Sequence, residues 1–126
     1  MSTDFGAAAT ARAIDANQLR LGQRSCGAVY KAGYSVECRL KALLMRMGRS
    51  FPTSGQQGHN LRALWAAAGF GIHDLSGARR AFIEFWSTDL RYEAQLPPGT
   101  DYDMLFDGVI GLSGYIQLKL RSARRR

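Results

Sequence analysis

Cysteine appears only twice in 126 residues, as Cys26 and Cys38. Placed on one helix, the two stand roughly 18 Å apart. A disulfide needs Cα atoms within about 7 Å, so these two do not pair. No CxxC pair and no zinc-like Cys/His spacing occurs, so neither a metal nor another cofactor is expected. Histidine is as scarce, present only as His59 and His73. No apolar run approaches the roughly 18 residues of a membrane helix, so no membrane partner is expected. No run of alternating β-branched residues is bounded by turns, which argues against strands. No internal repeat is visible. The start, Met1-Ser2-Thr3-Asp4-Phe5-Gly6-Ala7-Ala8-Ala9, lacks the basic region of a secretion signal and points to the cytoplasm.

Acidic residues are outnumbered, ten against seventeen basic ones, for a net charge of +7. The run Arg121-Ser122-Ala123-Arg124-Arg125-Arg126 carries four of those charges, leaving +3 over residues 1–120. Such a basic tail at 121–126 is expected to be a flexible, solvated end, or else a contact to phosphates or an acidic partner. The length fits one domain, residues 1–126, with a core that needs no disulfide.

What the chain does carry is helical periodicity. An alanine-rich first helix is expected from about Gly6 to Leu21, with Ile14, Leu19 and Leu21 as its apolar content and Gly22 as its stop. The second, from Ser25 or Cys26 to Met47, repeats Val29, Ala32, Gly33, Val36, Leu40, Leu43, Leu44 and Met47 at three- and four-residue steps. Gly48 caps it. Residues 49–58 read as a loop, broken by Pro52, Gly55 and Gly58. A short third helix, 60–68, has Asn60 as N-cap and Leu61, Leu64 and Trp65 inward. A fourth is expected from Ser76 to Tyr92, with Phe82, Ile83, Trp86 and Leu90 buried. A fifth spans Asp101–Leu120, capped by Thr100 or Asp101, with Ile110 among its lining residues. Gly108, Gly111 and Gly114 within it would either let another helix approach closely, including one from a second copy, or weaken and kink the helix. The fold expected is all-α, an up-and-down helical bundle of four to five helices.

Three segments resemble the HEPN family of small prokaryotic proteins. They are Ala32-Gly33-Tyr34-Ser35-Val36-Glu37-Cys38-Arg39-Leu40-Lys41-Ala42-Leu43-Leu44, Gly58-His59-Asn60-Leu61, and Leu90-Arg91-Tyr92. Their order and spacing agree over roughly residues 10–120. The resemblance implies a HEPN-like bundle, often a homodimer, that binds nucleotide or RNA. It also implies a minimal nucleotidyltransferase partner in a toxin–antitoxin or defence setting. Active members are metal-independent ribonucleases with an arginine, four to six residues, then a histidine. Neither His59 nor His73 follows an arginine at that spacing, so the usual proton-transfer group is missing. The expectation is therefore a non-catalytic binding protein. The alternatives are a ribonuclease toxin using His59 and Arg91, and a purely structural dimerisation module.

The candidate ligand-binding residues are Glu37, Lys41, His59, Arg91 and Tyr92. With Leu40 at the centre of the second helix's stripe, Glu37 lies about 60° off, Lys41 about 100° and Cys38 about 160°. That places Glu37 at the core edge, Lys41 at the rim and Cys38 outward. Glu37 either pairs with Lys41 one turn on or orients a cation from another helix, with Arg91 and His59 as candidates. His59 either caps the third helix or sits beside an anion held by its amides. Arg91 suits a helix C-terminus. Tyr92 packs on the core or stacks on a base. Trp65 and Trp86 read as core, and His73 as a loop residue.

Overall fold

The computed structural model describes residues 4–21, 25–51, 60–87, 90 and 96–124. The protein is an all-α helical bundle. Its helices are α1 (Phe5–Leu21), α2 (Ser25–Arg46), α3 (Leu61–Ala67), α4 (Gly77–Phe85) and α5 (Tyr102–Arg124), with a 3-10 turn at Ile72–Asp74 that holds His73. No strand occurs among the described residues. No described helix is long and apolar enough to cross a membrane.

Helix α2 is the axis of the molecule. It packs on α1 most extensively, then on α5 and α3. Contacts in register show that α1 runs antiparallel to it. Phe5 lies by Lys41, the Ser35 hydroxyl donates to the Ala9 carbonyl at 2.8 Å, and Leu19 lies over Gly27. The small residues Ala9 and Ala16 are buried in α1, while Ile14 faces solvent. An alanine face lets α1 approach closely, and this explains two departures from the single-stripe expectation. Cys38 is buried rather than outward, and Lys41 is buried rather than at the rim, because α1 covers the side of α2 away from the main core. Met47, past the last helical residue, is exposed rather than part of the stripe.

Caps fix the ends. The Asp4 carboxylate accepts the Ala7 amide at 2.9 Å and starts α1. Asn60 starts α3 by accepting the Ala63 amide at 3.1 Å, and Asp101 starts α5 by accepting that of Met104 at 3.0 Å. Gly48 ends α2 with φ 68°, a left-handed conformation that glycine adopts without strain. Ser76 sits at the N-cap of α4 without a side-chain cap bond. The stop expected at Gly22 lies outside the described residues.

The fourth helix is shorter than expected. It ends at Phe85, and Trp86 turns extended with φ −70° and ψ 137°. The sequence Ser87-Thr88-Asp89 holds poor helix formers that favour turns. The extended backbone at Trp86 carries its indole against α2, where its Nε1 donates to the Tyr30 carbonyl at 3.1 Å and its ring stacks on Tyr30. Gly33 is the residue that admits this ring. A Cβ there would stand 2.0 Å from the Trp86 Nε1.

The fifth helix is longer than expected, continuing to Arg124. The basic tail therefore begins as helix rather than as a frayed end. Leu105, Phe106, Leu112, Ile116 and Leu120 face the core. Ile110 does not, being 64% exposed. Gly108 is used within the chain: a Cβ there would lie 2.3 Å from the Ala78 carbonyl oxygen of α4. Gly111 is covered by the Arg79 side chain, and only Gly114 is open.

Candidate functional site

Glu37 and Lys41 meet one helical turn apart. The Lys41 ammonium donates to Glu37 Oε2 at 3.0 Å, with the two side chains only 3% and 2% exposed for Lys41 and Glu37. Glu37 also has interactions beyond this pair. His59, Arg91 and Tyr92 lie outside the described residues. The pair is sealed between α1 and α2. Neither member lines the clefts described below.

Burial shapes the neighbouring thiol. The Cys38 thiol is pushed up to about 11, first by desolvation and then by the Glu37 carboxylate, with Lys41 and Arg12 acting the other way. Burial likewise raises the Tyr34 phenol. The Cys38 thiol stays protonated in the folded chain while an unfolded one ionises near pH 9. The unfolded state then binds fewer protons, so stability falls as pH rises from about 9 to about 11. Both cysteines are buried and free of disulfides. A thiol reagent at pH 8 is expected to label neither in the native protein and both after denaturation. Fast native labelling of one equivalent would contradict the burial of that thiol.

A solvent-open cleft of about 760 Å³ lies on the outer side of the same helices. It is walled by the start of α1, the C-terminal half of α2, and Gln117 and Leu120 of α5. Arg39 and Arg46 bring two guanidinium groups to it. Arg39 Nη1 donates to Gln117 Oε1 at 3.4 Å. Its Nε is buried and has no hydrogen-bond partner among the described residues. Phe5, Ala42 and Met45 form an apolar wall. Among the described lining residues Asp4 is the one carboxylate, and it is engaged in capping α1.

Lys41 supports this cleft from behind. Its ammonium stands 5.7 Å from the centre of the Phe5 ring, within cation–π range. The buried pair thus lies against Phe5 of the apolar wall without itself lining the cleft.

The site expected from the sequence, Glu37, Lys41, His59, Arg91 and Tyr92, shares no described residue with the lining of this cleft. A signal for part of this was present. Arg39, Ala42 and Arg46 recur at three and four residues, which puts both arginines on one face of α2. Nothing local in the sequence pairs that face with Gln117, 78 residues away. No group of three or more His, Cys, Asp or Glu side chains suited to a metal occurs among the described residues.

Comparison with protein-family models, with curated proteins and with solved structures returned no match.

Proposed function

We propose that this chain is a non-catalytic, HEPN-like protein that binds nucleotide or RNA, taking phosphate in the cleft between α1, α2 and α5. The observation that carries the reading is Arg39. Its guanidinium lines the cleft and donates to Gln117, and among the described lining residues the one carboxylate, Asp4, is engaged in capping α1. A guanidinium with no free carboxylate beside it can take a phosphate oxygen through its terminal N–H groups. Arg46 adds a second cation, and Phe5 with Met45 offers an apolar surface for a base. The chain's charge of +7 favours a polyanion at longer range. The family resemblance adds a homodimer, a toxin–antitoxin or defence setting and a partner nucleotidyltransferase to the same proposal.

A fluorescence titration with labelled single-stranded RNA and labelled nucleotide tests it. Two phosphate contacts imply about a sevenfold loss of RNA affinity between about 50 and 200 mM salt. The double substitution Arg39→Gln/Arg46→Gln is expected to weaken binding by at least tenfold and to flatten that salt dependence. Absence of salt-sensitive binding at micromolar protein, or equal binding by the double variant, would overturn it.

A further inference from the structure

We propose that a second copy of this chain docks antiparallel along the exposed face of α5, with the two helices crossing at Gly114. This inference gives a surface to the homodimer proposed above, and rests on α5 alone rather than on the phosphate cleft. Asp107, Ile110, Gly114, Leu118 and Arg121 fall within about 80° of one another around the helix. The stripe they form is about 21 Å long. Ile110 is 64% and Leu118 60% exposed. Single exposed apolar residues are ordinary, but these two flank a glycine with open space around its Cβ position.

The stripe is complementary to itself. Ile110 and Leu118 lie four residues either side of Gly114, and Asp107 and Arg121 seven residues either side. A two-fold axis at Gly114 sets Ile110 against the partner's Leu118 and Asp107 against the partner's Arg121. Symmetry repeats each contact, as an isologous interface requires. A parallel pairing would instead face Asp107 with Asp107 and Arg121 with Arg121, which is repulsive. Neither Asp107 nor Arg121 has an ion-pair partner among the described residues, so both charges are available. Arg79, lying over Gly111, borders the stripe. Gly114 lets the two backbones approach where a side chain would hold them apart. A contact of this length falls at the small, transient end of protein–protein interfaces.

Analytical ultracentrifugation of the full chain tests the proposal. At about 100 µM, a mass approaching twice the 13.9 kDa chain is expected. Leu118→Asp should weaken the dimer about a hundredfold. Gly114→Leu should do the same while circular dichroism shows an intact helical monomer. Asp107→Arg and Arg121→Asp should each weaken association, and the combined charge swap should restore it. A strict monomer at that concentration, a dimer unaffected by Leu118→Asp, or a double swap no better than either single change would each overturn the proposal.

Discussion

Lys41→Met is expected to destabilise the protein by up to about 3–5 kcal/mol, because it takes the ammonium from a buried carboxylate whose other interactions offset only part of the loss. For a chain of this length that is a fall in melting temperature of roughly 10–20 °C. A solvent-exposed pair of the same spacing would contribute only about 0.3–0.5 kcal/mol. The difference between these magnitudes is decided by exposure, 3% for Lys41 and 2% for Glu37. Methionine keeps most of the stem's volume, so the loss reports charge rather than a cavity. A double-mutant cycle with Glu37→Gln should return a coupling of about 1–3 kcal/mol, since the two side chains touch directly. The coupling should persist at about 1 M salt, which screens exposed pairs far more than buried ones. A loss below about 1 kcal/mol for Lys41→Met would show that the pair is solvated.

Gly33→Ala is expected to destabilise the protein, although alanine is the better helix former by about 1 kcal/mol. The added Cβ would stand 2.0 Å from the Trp86 Nε1 and 2.2 Å from two ring carbons. The ring cannot swing away easily, because it is hydrogen-bonded to the Tyr30 carbonyl and stacked on the Tyr30 ring. Overpacking of this kind costs typically about 1–3 kcal/mol and more where the obstacle is rigid. The steric term therefore wins over propensity. The sign should reverse once the obstacle is removed. Trp86→Leu alone destabilises by several kcal/mol through the lost ring. Adding Gly33→Ala in that background should recover about 0.5–1 kcal/mol through helix propensity. Denaturant melts of the four proteins decide it. A destabilising Gly33→Ala in both backgrounds would place its cause elsewhere than the indole.

The second helix was legible because Val29, Val36, Leu40, Leu43 and Leu44 repeat at helical steps and are all buried. Its environment was not. Periodicity about Leu40 assumes one buried side, but α1 covers the other through alanines, which leave no apolar stripe in the sequence. Cys38 and Lys41 were misplaced for that reason. The end of α4 was hidden as well. Trp86 fits the buried pattern whether it sits on the helix or beyond its end, so burial alone did not locate the break. Gly108, Gly111 and Gly114 look alike in the sequence, yet only packing shows that the first meets Ala78, the second Arg79, and the third nothing. The cleft followed the same rule. Its two arginines share a visible helix face, whereas Gln117 and Phe5 join them only through the tertiary fold.

A proton–nitrogen NMR titration with a nucleoside monophosphate and with a short single-stranded RNA puts the proposed phosphate site to the test. The resonance to follow is the Arg39 Nε–H, which reports on a guanidinium lining the cleft. On binding, it should shift downfield together with the backbone amides of Phe5, Gly6 and Ala7, which line the cleft. The amides around Gly114 should stay put on ligand addition at constant protein concentration. An Arg39 Nε–H that does not move while ligand is bound, or shifts confined to another face of the bundle, would contradict the assignment of this cleft.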